Sequence, residues 1–250
     1  YEVCVLSGSV GKVANLGVPD GVLTNMSDVV DHCRRITRIA DVSLMVDAED
    51  GFGNAVNVMR TVRELEAVGV SGIEIEDNFV PRKFNVQDAG LITKEEQMGK
   101  LRAAVAARTD PTTVIVARSA AFGLCPLDEA VDRLSAYSQS GAEAVMLTGV
   151  KSREQIEAAH AATSLPITIL NPPIEARNDS AFLAANGVRL LMLGNPTFAV
   201  AVKAIYDSYK HLQDGGAMEE LSDSQAPREL LMAVNRTNEF IQLQEEYVRD

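Results

Sequence analysis

Apolar and polar positions follow two different periods along the chain. Between short apolar runs, apolar residues recur at helical spacing, as at Val58, Val62 and Leu65, and Ser27 and Thr93 precede two such segments as expected N-caps. The apolar runs have the length of strands, and seven of them lie at residues 2–6, 43–46, 72–75, 113–117, 144–147, 167–170 and 188–193. Regular alternation of strand and helix predicts parallel strands joined by right-handed crossovers, and therefore an α/β fold.

The number of strands limits which α/β architectures are possible. A (β/α)₈ barrel has eight strands, whereas this sequence of 250 residues shows seven and opens at Tyr1 inside an apolar run. We expect a TIM-type barrel that lacks its first strand, and an open sheet is the alternative. Residues 197–212 and 227–248 predict two extra C-terminal helices. We take residues 1–250 as one domain, with 213–250 as a helical extension that packs on a neighbouring subunit.

Composition and charge restrict the partners. The chain is 46% hydrophobic and 23% charged, which is typical of a soluble globular protein. Its formal net charge of −12 disfavours a nucleic-acid or membrane partner and favours a cation. It has no apolar run of the roughly 20 residues that cross a bilayer and no signal-peptide pattern, so we expect a cytoplasmic protein. The three isolated cysteines indicate neither a disulfide framework nor a thiolate zinc site.

Acidic residues gather where two neighbouring strands end. Asp47 and Glu49 share one side of the run at 43–46, and Glu74 and Glu76 share one side of the next run. If the intervening apolar residues face the helices, four carboxylates point into the barrel mouth, where they repel one another unless a cation or proton intervenes. Oxygen ligands without His or Cys favour Mg²⁺ or Mn²⁺ over zinc. The alternative is that these acids cap helices or lie in solvated loops.

Other polar residues at the strand ends have candidate roles of their own. Arg118 ends the run at 113–117, where its guanidinium could bind a substrate carboxylate or a developing oxyanion, or form a structural ion pair with one of the acids. The Gly8-Ser9 turn offers backbone N–H groups and a hydroxyl near a helix start, which suits a small anion but is also an ordinary turn.

The positions of the histidines and of two further acids exclude them from the predicted site. His32, His160 and His211 all fall in predicted helices, which leaves no candidates for a His-dependent triad or an HExxH metalloprotease. Asp50 and Asp77 alternate to the opposite side of their strands, and we expect them to be structural.

Three segments together resemble the isocitrate lyase/phosphoenolpyruvate mutase superfamily: residues 47–54, 75–77 and 116–118. Within it, residues 54–62 and 99–104 are most similar to the oxaloacetate decarboxylase branch. The resemblance implies an α/β barrel, a Mg²⁺-bound α-keto acid substrate, and a homo-oligomer, a dimer of dimers, that exchanges a C-terminal helix.

The resemblance also assigns roles to matching positions. Asp47 would ligate Mg²⁺, or Mn²⁺ in its place, and Glu49 and Glu76 would reach the ion directly or through water. Asp47 and Arg118 would be the catalytic residues. The branch usually has Asp where this chain has Glu49.

The resemblance to the superfamily also implies which residues contact the substrate. Ser9 and Arg118 would hold substrate oxygens beside Gly8, and Asn195 lies near the position where the branch carries a substrate-contacting His. The loop at residues 78–92 corresponds to the gating loop of the superfamily, and it lacks the catalytic cysteine segment of isocitrate and methylisocitrate lyases.

The resemblance therefore implies a lyase that decarboxylates oxaloacetate, or a close β-keto acid, to pyruvate and CO₂ through a metal-stabilised enolate. C–C cleavage of this kind needs no strong base, which fits the positions of the histidines. One alternative is a lyase or hydrolase that cleaves a C–C or P–C bond of a related 2-oxo or 2-hydroxy acid. Another is a non-catalytic, metal-binding homologue.

Overall fold

The computed structural model describes residues 1–20, 23–80 and 90–248. The middle of the predicted gating loop, residues 81–89, lies outside the described residues. The chain divides into two compact units, Tyr1–Asn195 and Pro196–Asp250.

Seven parallel strands form one sheet in the described part of the first unit, and they follow one another in chain order. The strands are β1 (Val3–Leu6), β2 (Ser43–Asp47), β3 (Gly72–Glu76), β4 (Val114–Ser119), β5 (Ala144–Leu147), β6 (Ile167–Leu170) and β7 (Val188–Met192). Beyond β7, Asn195 Nδ2 donates to Ser7 Oγ just after β1 at 3.0 Å, so the sheet curls and brings its outer strands together. The prediction of an α/β fold, a TIM-type barrel lacking one strand, is confirmed.

Helices connect the strands of this unit. They are α1 (Gly8–Leu16), α2 (Met26–Thr37), α3 (Ala55–Glu66), α4 (Lys94–Ala107), α5 (Ala121–Leu124), α6 (Leu127–Ser138), α7 (Arg153–Ala162), α8 (Ile174–Arg177) and α9 (Ser180–Ala185). Thr93 caps α4 as predicted. The prediction of Ser27 as a cap is wrong, because Asn25 and Asp28 form a reciprocal capping box and α2 begins at Met26.

The two faces of the sheet carry different side chains. Ile73 and Ile75 are fully buried in the main core between the sheet and the helices. Met45, Val116 and Met146 form a second, smaller cluster with apolar residues of β1, β6 and β7. Because side chains alternate along a strand, the residues that continue this second face at the carboxyl ends are the acids and the arginine of the predicted site.

Two loops at the carboxyl ends of β4 and β5 touch through their backbones. A Cβ on Gly123 would lie 3.0 Å from the Cα of Gly149, and a Cβ on Gly149 would lie 2.9 Å from the Cα of Gly123. Gly149 also has a φ of +73°, which disfavours any L side chain. The close contact therefore depends on glycine at both positions.

The second unit is helical. It contains α10 (Pro196–Gln213), a short 3₁₀ helix (Met218–Ser224), α11 (Arg228–Val234) and α12 (Thr237–Tyr247). The helix predicted at 197–212 is confirmed, but the one predicted at 227–248 is two helices, because Arg236 takes a left-handed φ of 55° between them. This unit begins at Pro196. The single domain and the extension at residues 213–250 that packs on a neighbouring subunit stay predictions. No helix in the described ranges is long and apolar enough to span a membrane.

Candidate active site

Four acids lie together at the carboxyl ends of β2 and β3, and we call them the inner acid cluster: Asp47, Glu49, Glu74 and Glu76. Asp47 and Glu74 are directly paired in the β2–β3 register. Glu74 is 1% exposed, and Glu49 and Glu76 are each 5% exposed. The alternation of side chains brings Asp47, Glu74 and Glu76 to one face of the sheet. Glu49 joins them from the turn after β2, where its backbone has a left-handed φ of 53° rather than strand geometry.

Arg118 holds three of these acids. Its Nη1 lies 2.7 Å from Asp47 Oδ2 and 3.2 Å from Glu74 Oε2, and its Nη2 lies 3.2 Å from Glu76 Oε2. Of the two roles that the sequence left open for Arg118, the structure shows the ion pair with the acids. Its contact with a substrate stays a prediction.

A second cation in the site, Lys12 of α1, was not predicted from the sequence. Lys12 is 1% exposed, and its Nζ forms an ion pair with Glu49 Oε1 and donates to Asp20 Oδ1 at 2.6 Å. A signal was available, because Lys12 follows Gly8 by four residues and so lies one helical turn away on the same face. Asp20 carried no comparable signal, since its place depends on this tertiary contact.

Gly8 brings the backbone against these charges. A Cβ on Gly8 would lie 2.7 Å from Glu49 Oε1, 3.0 Å from Asp47 Oδ2 and 3.3 Å from Lys12 Nζ. Charged atoms from three elements thus surround one point beside the start of α1. Only glycine leaves that point free.

The predicted substrate-binding residues form a polar rim beside Gly8. Asn195 Nδ2 donates to Ser7 Oγ at 3.0 Å and to Ser9 Oγ at 3.1 Å, and the two hydroxyls are 3.0 Å apart. The curl of the sheet therefore brings Asn195 to Ser9 across 186 residues of chain. Their binding of substrate stays a prediction.

Burial and neighbouring charges give the acids of the cluster different pKa values. Burial, together with the charge of Asp47, raises the pKa of Glu49 to about 7. Burial raises the pKa of Glu74 to about 8, although Arg118 opposes it. Burial also tends to raise the pKa of Asp47, but the charge and hydrogen bond of Arg118 outweigh it and the pKa is lowered. Asp47 is therefore the acid most firmly held in its ionised form.

The cluster fits a divalent cation by charge, although not in its present rotamers. Among the described residues, no three Asp, Glu, His or Cys side chains are grouped so that they could hold a metal ion, because Arg118 and Lys12 stand between the carboxylates. Within the part of the chain that the structure describes, the four acids nevertheless face two cationic side chains, Arg118 and Lys12. Glu74 Oε1 is buried and accepts no hydrogen bond within the described ranges. Hard oxygen donors with excess negative charge suit Mg²⁺ or Mn²⁺.

Asp77 lies on the opposite face in a separate group, which we call the outer cluster: Asp77, Ser119, Arg133 and Tyr137. Its Oδ2 accepts hydrogen bonds from Ser119 Oγ and Tyr137 Oη, both at 2.8 Å, and Arg133 Nη1 lies 3.8 Å away. The expectation of a structural role on the far side of β3 agrees with these contacts.

Asp50 has the same kind of environment. Lys100 of α4 is 3% exposed, and its Nζ donates to the backbone oxygen of Asp50 at 3.0 Å and to its Oδ2 at 3.2 Å. Asp50 therefore serves to join α4 to the loop after β2, again as expected.

Comparisons with known proteins agree with this geometry. An oxaloacetate decarboxylase of Rhodopseudomonas palustris (strain HaA2) is 41% identical over 238 residues, which are 95% of this chain and 82% of that protein. A phosphoenolpyruvate phosphomutase from Streptomyces platensis subsp. rosaceus superposes with a TM-score of 0.87 at 26% identity, over 100% of this chain and 88% of that one. A phosphonopyruvate hydrolase solved with oxalate and Mg²⁺ gives a TM-score of 0.82 at 28% identity, over 98% and 87% of the two chains.

The resemblance seen in the sequence motifs is confirmed. The expectation of a lyase agrees with the name of the Rhodopseudomonas relative. The family described as phosphoenolpyruvate phosphomutase matches residues 3–213, and this chain belongs to that family.

Proposed function

We propose that this protein decarboxylates oxaloacetate, or a close β-keto acid, to pyruvate and CO₂ with Mg²⁺ as its cofactor. The observation that carries the proposal is the excess of acids over cations in the inner acid cluster, where four carboxyl groups, three of them buried, meet two cationic side chains of the described residues. The oxaloacetate decarboxylase that is 41% identical over most of this chain supports the choice of substrate.

Asp47 is the first ligand that we propose for the cation, because it is the acid kept ionised. Glu49 and Glu76 would hold the ion directly or through water. When bound, the cation supplies a Lewis acid for the oxygens of an α-keto acid. The phosphonopyruvate hydrolase solved with Mg²⁺ supports this ion, and Mn²⁺ has the same preference for oxygen ligands.

Arg118 and the polar rim would orient the substrate. Arg118 Nε is buried and has no hydrogen-bond partner in the part of the chain that the structure describes, so it is an unsatisfied donor that a substrate oxygen would satisfy if the ion pairs of Arg118 rearranged on binding. A guanidinium at this place also balances negative charge that develops as CO₂ departs. The Ser9 hydroxyl and the Asn195 amide are further donors for a carboxylate of the substrate.

The proposal is tested by measuring pyruvate formation from oxaloacetate with and without Mg²⁺. A blank without protein is essential, since free Mg²⁺ alone promotes this decay. We expect metal-dependent turnover above the blank, reduced by about a hundredfold or more in Asp47→Ala. Asp50→Asn is the matched control, because this acid of the same loop points away from the cluster, and its turnover should stay near the wild-type value. A folded protein with no rate above the blank would exclude oxaloacetate as the substrate.

A second candidate is hydrolysis of a P–C bond in a related 2-oxo acid. The similarity to phosphonopyruvate hydrolase favours it. Release of inorganic phosphate from phosphonopyruvate, without CO₂ from oxaloacetate, would select this reaction.

We also propose that a second copy of the chain covers the helices of the second unit. None of the described residues in α10, α11 and α12 is buried, and large apolar side chains such as Tyr209 and Val234 are more than 70% exposed. Apolar patches of this kind mark protein interfaces. A homo-oligomer with helix exchange, a dimer of dimers, would cover them. Light scattering should show the oligomer, and Val234→Glu should dissociate it.

A further inference from the structure

Lys12 gives the inner acid cluster a cation that is tethered to the chain. Its ammonium group contacts one buried acid, Glu49, and one exposed acid, Asp20, whose side chain is 62% exposed. The ammonium group therefore stands between the interior of the site and its surface, with an anion on each side.

The position of this ammonium overlaps the place that a divalent cation needs. Lys12 Nζ, Asp47 Oδ2 and Glu49 Oε1 all lie within 3.3 Å of the point where a Cβ on Gly8 would be. Mg²⁺ held by carboxylate oxygens lies about 2.0–2.1 Å from them. An ion bound to Asp47 and Glu49 would thus come within a few ångströms of a positive charge, and Glu49 Oε1 cannot serve both partners.

We propose that Lys12 is a built-in competitor of the divalent cation: its ammonium group neutralises Glu49 while no cation is bound, and releases Glu49 while keeping Asp20 when one binds. This inference rests on the proposed function only in taking Asp47 and Glu49 as ligands. Lys12 is a positioning residue, and it sets how tightly the site holds its metal.

Asp20 lowers the free energy that is needed for Lys12 to release Glu49. A buried ammonium without a partner is strongly unfavourable, so a lysine with Glu49 as its single partner would resist metal binding much more. The hydrogen bond of 2.6 Å to Asp20 leaves Lys12 paired after Glu49 has turned away. The exposed side of Asp20 lets water solvate the displaced charge.

The test is direct binding of Mn²⁺ to the metal-free chain, followed by electron paramagnetic resonance, with Mg²⁺ as a competitor. Lys12→Met keeps the length of the side chain and removes its charge. We expect it to bind Mn²⁺ about tenfold more tightly or better, because a single and a double charge repel appreciably at about 4 Å even in bulk water. Lys12→Arg keeps the charge and should stay within about threefold of the wild type.

Lys100→Met is the matched control, because it removes another buried lysine charge whose partner is Asp50 outside the inner acid cluster. Its Mn²⁺ affinity should equal that of the wild type. Unchanged affinity in Lys12→Met, while the wild type binds Mn²⁺, would overturn the inference and leave the decarboxylase proposal to the pyruvate assay. Absence of binding in both proteins would overturn the inference together with the metal ligands that we propose.

A second measurement uses the wild-type protein and so does not depend on the folding of a variant. Lys12 released from Glu49 is more accessible to an amine-acylating reagent. We expect saturating Mg²⁺ to increase the labelling of Lys12, quantified by mass spectrometry, whereas labelling of Lys100 stays constant. Equal labelling of Lys12 with and without Mg²⁺ would contradict the exchange.

Discussion

Glu76 belongs to the inner acid cluster, and the next residue, Asp77, belongs to the outer cluster. Comparing the partners of these two acids shows what makes a buried acid available to a ligand. Both side chains are buried, and burial raises the pKa of both. Asp77 is the one acid of the outer cluster and has two hydroxyl donors and a guanidinium nearby. Glu76 shares Arg118 with two other acids.

The two clusters therefore differ in the number of hydrogen-bond and ion-pair partners that each acid has, and they do not differ in burial. Where an acid has its own donors, it joins elements of the fold, as Asp77 joins β3, β4 and α6. Where acids outnumber cations, a charge is left that a bound ion can balance. Three measurements test this contrast.

Removal of Arg118 should have the largest effect. Arg118→Met leaves three buried acids without their common cation, and we expect the free energy of unfolding at pH 7 to fall by about 3–5 kcal/mol. Urea denaturation in EDTA measures it. Arg60→Met, which breaks an exposed pair with Glu64, is the control and should change stability by less than about 1 kcal/mol. A loss for Arg118→Met no greater than the control's would show that the acids need no shared partner.

The stability of the metal-free protein should also fall with rising pH. The pKa values of Glu49 and Glu74, about 7 and about 8 against an ordinary 4.5, mean that the folded chain keeps protons that the unfolded chain has already lost. Between pH 4.5 and these values, each acid lowers the free energy of unfolding by up to about 1.4 kcal/mol per pH unit.

Urea denaturation at several pH values from 5 to 8, in EDTA, measures this slope. Glu74→Gln cannot ionise and should give a flatter profile, and saturating Mg²⁺ should flatten the wild-type profile too. Identical slopes for the wild type and Glu74→Gln would contradict the raised pKa of Glu74.

The outer cluster should show a smaller effect that is confined to stability. Tyr137→Phe removes one of the two hydroxyl donors to Asp77 Oδ2, and we expect it to lower the free energy of unfolding by about 1–2 kcal/mol. Tyr209→Phe, at an exposed position, is the control and should be close to neutral. Mn²⁺ affinity should be unchanged in both variants, and weaker binding in Tyr137→Phe would mean that the two clusters are coupled.

Much of the fold was predictable because it depends on local periodicity. Strands with both faces covered need apolar runs, and the seven predicted runs match the observed strands within one or two residues at each end. The same alternation predicted that Asp47 and Asp77 lie on opposite faces. Thr93 also caps its helix as expected, since a cap is a contact within one turn.

The features that were missed depend on contacts distant in sequence. Lys12 approaches Glu49 only after α1 has packed at the end of the sheet. The partners of Arg118 could not be chosen from sequence, because a substrate carboxylate and a protein carboxylate offer the same chemistry. At the break, Arg236 holds the left-handed position that glycine usually occupies, so the commonest local signal was absent.

The contact between Gly123 and Gly149 limits how this site could be redesigned or could evolve. A side chain at either position would strike the backbone of the other loop, so a single substitution at one glycine cannot be rescued by a change of side chain at the other. Loops transplanted from a relative should therefore be exchanged as a pair, with the backbone of both taken from the same parent. In a library that varies these loops, the two glycines are positions to leave fixed.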